Sequence, residues 1–335
     1  MAGPRGRELC LIAAAAHDPV LDRIWLHSHG GPTAQLIDRA GEALVQFDPA
    51  VLAAAGELDL LGPLAQSVCS AMYWQEPWAR ERLLDTWSVH AGLVPIAQAL
   101  ADSTATAWWS GPTDRARQHT VIWEHGGPLV ELQPCQVALQ RWRDRLTAEV
   151  QRGRELSDDL DAPNSGSWWS SPLGHGLLAG ARSLAHYEAV GLFLVEECQG
   201  DFESALVQRL DVDAGARVLE IVSPADWVEL TRAHPVDVTF ARRHDWWRVS
   251  GWDGRWLMPD WQAVAGEYDG VHLTVTAYLA GAGRALPVDD AATMIAGWDP
   301  DATYWLTDCA RPGGPARRWR QVRGGEQLDW VPSTW

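Results

Sequence analysis

Polar side chains near the end of the chain have the types and spacing to line a reactive cleft. His272 and Thr274 belong to the β-branched run 271–276, and alternate residues of a strand point to one face. Tyr268 and Asp269 come immediately before this run. The pattern predicts a strand that forms a polar cleft wall. The alternative is an ordinary turn after Asp269 and a hydrogen-bonded histidine in the core.

A serine nucleophile activated by histidine and aspartate is the next chemistry to consider. Ser170, His272 and Asp269 supply the three residue types. No serine lies in a Gly-x-Ser-x-Gly turn, which presents the nucleophile in α/β-hydrolases. With 11 His and many Asp in the chain, such combinations arise easily by chance. We therefore do not predict a serine hydrolase.

The pentapeptide Trp-Trp-Ser-x-Pro occurs twice, at residues 108–112 and 168–172. Each indole N–H needs a partner when it is buried. Both copies precede a segment that ends in an acidic residue, at Glu124 and Glu196. The repeat indicates either a duplicated structural corner or a duplicated binding wall, and the sequence leaves both open.

Tryptophan is also concentrated between residues 246 and 261. Five Trp occur there, more than one strand face can bury: Trp246, Trp247, Trp252, Trp256 and Trp261. Indole faces stack on sugars, bases, nicotinamide or arginine guanidinium groups. The segment predicts either a groove lined by Trp or a structural cluster of Trp and Arg.

The spacing of histidine and cysteine does not predict a metal site. His27 and His29 lie two residues apart without an obvious third ligand, so a polar loop before Gly30 is the simpler interpretation. The five Cys are widely scattered: Cys10, Cys69, Cys135, Cys198 and Cys309. Such spacing is typical of a cytosolic protein whose cysteines are reduced and mostly fill the core. We expect no metal.

The charge balance limits the partners. The chain has 44 Asp and Glu against 27 basic residues, all of them Arg, for a net charge of −17. Duplex nucleic acid would be repelled over most of this surface, although Arg242-Arg243 or the arginines at 317–323 could bind phosphate locally. The apolar run 9–16 is at the short limit for a signal peptide, and no segment has the length of a membrane span. We therefore predict a cytoplasmic protein with no membrane partner.

Hydrophobic periodicity predicts an α+β protein. The first hundred residues read as helices, with Gly62-Pro63 dividing the run 48–73, and 136–152 reads as a long helix. Strands are predicted at 119–123, 191–195, 205–210, 217–221, 271–276 and 302–307. The polar stretch 155–166 has the composition of a linker. These patterns predict a mostly helical domain at 1–156 and a mixed, strand-rich domain with a cleft at 157–335.

Several segments of the second half together resemble a group of uncharacterised bacterial domains that are similar to the ADP-ribosyltransferase-like fold. The segments are residues 169–172, 216–221, 223–230, 259–261, 268–274 and 297–305. The resemblance covers about the second half of the chain. It implies two small twisted sheets around a cleft that binds NAD as substrate.

The resemblance also implies roles for individual residues. Ser170 and Ser171 match the strand that braces the cleft, and Asp301 matches the late acid that stabilises a ribosyl oxocarbenium ion. The family pattern favours Glu at that position, and an Asp is one methylene shorter. No match to the Arg or His of the first strand is identified. Four further side chains would line the NAD cleft beside His272: Trp168, Trp169, Tyr268 and Thr274.

The sequence predicts two alternative classes of function. The first is an NAD-directed enzyme, an ADP-ribosyltransferase or NAD glycohydrolase, or an inactive relic of one. The second is a non-catalytic, Trp-rich protein of the immunity or regulatory type that binds a partner protein, because Trp and Arg dominate interface hot spots. Sugar binding on Trp is a third option. The expected partner is thus a small molecule or a protein.

Overall fold

The computed structural model describes residues 1–124, 132–172, 176–184, 187–198, 202–324 and 327–333, without the side chains of His29, 323–324 and 327–328. The helices are α1 Pro4–Ala15, α2 Pro19–His27, α3 Ala34–Gln46, α4 Ala50–Ala53, α5 Glu57–Cys69, α6 Ala79–Leu84, α7 Trp87–Asp102, α8 Cys135–Gly153, α9 Pro224–Ala233, α10 Thr239–Ser250, α11 Trp261–Val264 and α12 Val275–Gly281. Short 3-10 helices cover Ser28–Gly30, Thr104–Ser110, Arg115–Arg117 and Val190–Leu192.

Most strands lie in the second half of the chain. They are β1 Gln118–Trp123, β2 Ala179–Arg182, β3 Ser204–Val212, β4 Val218–Ile221, β5 Pro235–Asp237, β6 Leu257–Pro259, β7 Gly270–Leu273, β8 Leu286–Val288, β9 Ala291–Thr293, β10 Thr303–Trp305, β11 Ala310–Pro312, β12 Arg317–Gly324 and β13 Gln327–Pro332. The predicted α+β class, with a mostly helical first part and a strand-rich second part, is confirmed.

A mixed sheet connects the two parts. Its strand order is β13-β12-β3-β1-β2-β10-β7-β4, with β11 also paired to β3. The pairs are antiparallel except β4 with β7. β1 lies between β2 and β3 although it precedes both in the chain, and its residues pair with 181–182 and 205–209. Two short hairpin-like pairs, β5 with β6 and β8 with β9, lie outside this sheet.

One hydrophobic core extends across both parts. It runs from Leu9 in α1 to Leu306 after β10, and it includes Trp227, Trp261 and Trp298. Gly3 and Gly6 lie directly against the backbone at 279–280 in α12, so the first helix packs tightly on the second half. The division at 156/157 stays a prediction. The shared core and the central position of β1 tie the two segments to one another.

Local signals explain several of these elements. Ser223 begins α9 with a capping box, in which the Asp226 carboxylate accepts from the Ser223 backbone N–H at 2.8 Å. The predicted break at Gly62-Pro63 is wrong, because Pro63 lies inside α5 and the chain turns at 54–56 instead. The predicted strand at 191–195 is also wrong, since a 3-10 helix begins there at Val190. In both cases the packing of neighbouring segments overrides the local pattern.

The run 271–276 divides into a strand and a helix. β7 ends at Leu273, and Thr274 is the N-cap of α12, where its Oγ1 accepts from the Ala277 N–H at 3.1 Å. Thr274 therefore does not lie on the face of His272 as a strand would place it. A threonine after an apolar run serves a strand or an N-cap equally well.

The prediction of five reduced thiols is wrong for two cysteines. Cys69, the last residue of α5, forms a disulfide with Cys198 across a sequence separation of 129, whereas Cys10, Cys135 and Cys309 are free. Scattered spacing does not show which cysteines meet in the fold. Among the described residues, no helix is both long and apolar enough to cross a membrane.

Removing this disulfide is expected to lower the free energy of unfolding by about 2–4 kcal/mol, because the bond closes a long loop in the unfolded chain. Urea unfolding of the Cys198→Ser variant measures the loss, and the free-thiol variant Cys309→Ser is the control. Dithiothreitol should lower the stability of the wild type and leave that of Cys198→Ser unchanged. A wild type that is insensitive to reductant would contradict the prediction.

Candidate functional site

Two of the predicted catalytic residues meet in a buried ion network. His272 lies on β7, and Asp301 lies in the turn before β10 with a left-handed φ of 63°. The Nε2 atom of His272 is 3.3 Å from Oδ1 of Asp301, and its Nδ1 atom is 2.5 Å from Oε2 of Glu220 on β4. His272 and Asp301 are each 1% exposed. The network thus places the imidazole between two carboxylates inside the sheet.

Arg182 on β2 holds the other side of Asp301. Its Nε donates to Oδ1 at 2.6 Å, and its backbone N–H donates to Oδ2 at 3.0 Å. The same guanidinium donates to the carbonyls of Gly111 and Pro112 and lies 5.5 Å above the Trp108 ring. Both oxygens of Asp301 are therefore engaged within the protein.

The electrostatics of this network favour the charged forms of His272 and Glu220. Burial acts to lower the pKa of His272, but the hydrogen bonds and charges of Asp301 and Glu220 outweigh it and raise the pKa above its ordinary value. Burial acts to raise the pKa of Glu220, and the contact with His272 outweighs it and lowers the pKa. The two carboxylates thus favour the charged form of the imidazole, and this ion network has a stabilising role.

The predicted serine brace is held by backbone contacts. Ser170 is fully buried, and its Oγ donates to the Ala296 carbonyl and accepts from the Ala296 N–H, both at 3.0 Å. The Oγ of Ser171 donates to the carbonyl of Gly297. Thr274 donates to the Ile221 carbonyl at 3.1 Å. The structure places these hydroxyls where they join segments that are distant in the chain.

The predicted aromatic residues separate into different surroundings. Trp168 is buried against Trp74 and Trp169, with ring centroids at 5.3 and 5.1 Å. The indole N–H of Trp246 donates to the Trp168 carbonyl at 2.8 Å. Tyr268 is half-buried at the edge of the core. Trp169 is half-buried and lines an open cleft, which makes it the predicted binding residue with access to a ligand.

The two Trp-Trp-Ser-x-Pro copies therefore make different contacts. Residues 108–112 hold the guanidinium of Arg182, and residues 168–172 attach to the turn at 296–297. The repeat reflects two structural corners, and the second also supplies Trp169 to the cleft.

This cleft lies between α8 and α10 and has a volume of about 530 Å³. The two helices approach closely where Gly153 meets the backbone of Phe240, and a Cβ at Gly153 would collide with it. The polypeptide between α8 and Trp169 forms the remaining wall. The cleft is lined in part by Arg145, Arg152, Asn164, Ser167, Trp169, Phe240 and His244. Its volume is in the range of small-molecule sites.

The acidic residues of the cleft already have partners. Glu149 accepts from Arg242 at 3.0 Å, from Ser167 at 2.6 Å and from Arg145 at 2.9 Å. Burial acts to raise the pKa of Glu149, but the Arg242 charge and these hydrogen bonds outweigh it and lower the pKa. Its charge is thus compensated inside the protein.

Asp245, on the opposite wall of the cleft, also has partners, although burial outweighs them and raises the pKa of its carboxyl. It accepts from Arg248 at 2.9 Å and from the Gly166 N–H at 3.0 Å. Arg152 differs from these residues, because it is exposed and its guanidinium makes no hydrogen bond or ion pair with the described residues. The cleft therefore offers a cation and two aromatic rings to a ligand.

Several functional candidates were missed at the sequence level. Arg145, Glu149 and Arg152 follow the spacing i, i+4, i+7 within the predicted helix, which would have placed them on one face. Arg182 lies in a short strand of small residues that has no clear periodicity. Arg242, considered as a phosphate-binding residue, is 4% exposed and paired with Glu149.

A cluster of acidic residues that does not line the cleft contains Glu196, Glu197 and Asp299. The backbone N–H of Glu196 donates to Oδ1 of Asp299 at 2.9 Å, and Glu197 follows with a left-handed φ of 59°. Burial raises the pKa of Glu196 well above its ordinary value, that of Glu197 to about 8 and that of Asp299 to about 6. Among the described residues, no group of His, Cys, Asp and Glu has an arrangement that could hold a metal ion.

No family model matches this sequence, and neither a curated protein nor a solved structure matches it.

Proposed function

We propose that this protein binds NAD, or a nucleotide of the same chemistry, in the cleft between α8 and α10. The observation that carries the proposal is the combination of the Trp169 and Phe240 rings with the unpaired Arg152 in one open cleft of about 530 Å³. NAD combines planar rings with phosphates. Aromatic side chains stack on the rings, and guanidinium groups pair with phosphate oxygens.

The charges in the cleft suit an anionic ligand despite the acidity of the chain. Glu149 and Asp245 are held by Arg242 and Arg248, so they oppose a phosphate less than free carboxylates would. Arg145 contacts Glu149 and lines the cleft as well, which brings a further guanidinium near the ligand. Arg154 and Arg243 lie against the Phe240 ring at 5.3 and 5.2 Å.

The proposal is binding without ADP-ribosyl transfer. Transfer needs a carboxylate at the developing oxocarbenium ion. Asp301, the predicted late acid, is buried, and both of its oxygens are bonded to Arg182. Its position supports an NAD-binding relic of the enzyme over an active transferase.

A titration of NAD, followed by calorimetry, tests this site. Arg152→Glu is expected to weaken binding by about tenfold or more, because it replaces the unpaired cation by an anion. Arg141→Glu is the matched control, since Arg141 is an exposed arginine of the same helix that does not line the cleft. Both substitutions are at exposed positions, so the melting temperature should stay close to that of the wild type.

Parallel measurement of nicotinamide release tests the absence of transfer. We expect no release above the buffer control. Nicotinamide release by the wild type that is lost in Asp301→Asn would instead support an active enzyme. An absence of NAD binding at millimolar concentration, or equal binding by Arg152→Glu and the wild type, would refute the proposed site.

A further inference from the structure

An exposed apolar strip lies on the helical part, far in sequence from the cleft residues. Trp87 is 84% exposed at the start of α7, and Val94 is 59% exposed on the same helix. Ala91 and Pro95 are exposed between and beside them. The spacing i, i+4, i+7, i+8 puts these four residues on one face of α7, opposite the buried face that contains Leu93.

Helix α3 extends this face. Gly92 of α7 lies directly against the Leu44 side chain, and Gly41 of α3 lies against Ser88. The two helices are thus packed side by side along this seam. Val45 follows Leu44 and is 77% exposed. We call Trp87, Ala91, Val94, Pro95 and Val45 the α3–α7 strip.

Acidic residues flank the α3–α7 strip. Asp38 and Glu42 are exposed on α3, Asp48 is exposed just after it, and Asp102 is exposed at the end of α7. Arg39 is the one basic residue in the sequence of α3, and α7 contains no arginine. The strip is therefore an apolar surface with negative edges.

We propose that the α3–α7 strip docks a basic amphipathic helix of a partner protein. An apolar helix face fits a surface with anchors at helical spacing, and a large exposed Trp is the residue type that most often anchors an interface. Arginine or lysine at the edges of the incoming helix would face Asp38, Glu42, Asp48 and Asp102. This inference does not rest on the nucleotide proposal.

The charge also argues against other occupants. A second copy would bring the same acidic edges and a further −17 to the contact, which opposes self-association. Anionic lipid and nucleic acid surfaces would be repelled in the same way. A cationic, partly apolar protein segment is the occupant whose chemistry matches both features.

Selection from a displayed library of helical peptides of about 16 residues tests the proposal with the full chain as bait. Selected peptides should have apolar residues at the helical spacing i, i+3 or i+4, i+7. They should carry Arg or Lys along both edges of that apolar face. The affinity of a selected peptide, measured by fluorescence anisotropy, should fall about tenfold or more with Trp87→Ala. It should also weaken with salt and with Glu42→Arg.

Leu26→Ala is the matched control, because Leu26 is 51% exposed but lies on α2, outside the strip. It should leave the affinity unchanged. Trp87→Ala should leave the melting temperature unchanged, since the side chain is almost fully exposed. Selected peptides that are acidic or neutral, or that bind Trp87→Ala as tightly as the wild type, would overturn the proposal. A wild-type dimer that Trp87→Ala converts to a monomer would overturn it as well.

Discussion

The Asp301→Ala variant is expected to lose about 3–5 kcal/mol of unfolding free energy. The substitution removes the acceptor of two hydrogen bonds from Arg182 and leaves that guanidinium and His272 buried without their shared carboxylate. The neighbouring strands β2, β7 and β10 then lack the ion network that links them. Urea unfolding, followed by far-ultraviolet circular dichroism, measures the loss.

Asp289→Ala is a matched control for this prediction. Asp289 also has a left-handed backbone, with φ of 53°, but it is exposed and contacts Arg232 at the surface. Both substitutions carry the backbone strain of an alanine at positive φ, so the difference between them isolates the buried network. Equal losses for the two variants would contradict the role assigned to Asp301.

The stability of the whole protein is expected to fall as the pH rises from about 5 to 8. Burial raises the pKa of Glu196 well above its ordinary value, and it raises that of Asp299 to about 6. Each group keeps its proton to a higher pH in the folded state than in the unfolded state, so its contribution to stability is lost as the pH rises toward its folded pKa, which for Asp299 is about 6. A buried group of this kind changes the unfolding free energy by about 1.4 kcal/mol per pH unit.

Other groups do not reverse this direction. The pKa of His272 is raised, so its contribution is complete below its ordinary pKa and is lost as the pH rises through the folded value. The pKa of Glu149 and that of Glu220 are lowered, so their contributions are lost only as the pH falls below the ordinary range of a glutamate. Between about pH 5 and 8 the shifts therefore act together.

Glu196→Gln separates this contribution from the rest. The variant cannot ionise, so its unfolding free energy should fall by about 1.4 kcal/mol less per pH unit than that of the wild type, as long as Glu196 keeps its proton in the folded state. Glu203→Gln, at an exposed position, should follow the wild type. Urea unfolding at several pH values measures both slopes. A wild-type stability that is constant or rises with pH would show that the buried carboxyl groups do not act in this way.

The fold class was accessible from the sequence because long periodic segments dominate it. The helix α8 and the strands β1, β3 and β4 lie close to where periodicity predicts them. The strand at His272 was recognised by its β-branched residues, but its end was not, because Thr274 suits an N-cap as well as a strand. Element type was thus more predictable than element boundary.

The candidate site was less predictable because its contacts join distant segments. His272 and Asp301 were both singled out, and the pairing of β7 with β10 brings them together. The partner Arg182 and the disulfide from Cys69 to Cys198 depend on the tertiary fold, which local pattern does not contain. The ADP-ribosyltransferase resemblance stays a prediction, and of the residues it named only Trp169 lines the cleft at Arg152.

The central position of β1 has a consequence for synthesis on the ribosome. β1 emerges before β2 and β3, the two strands that cover its edges. Until residue 212 has been made, residues 118–123 lack at least one of the two strands that pair with them, and unpaired strand-forming segments pair readily with other chains. The helical part therefore completes its own strand pairing only after the second half of the chain has supplied β2 and β3.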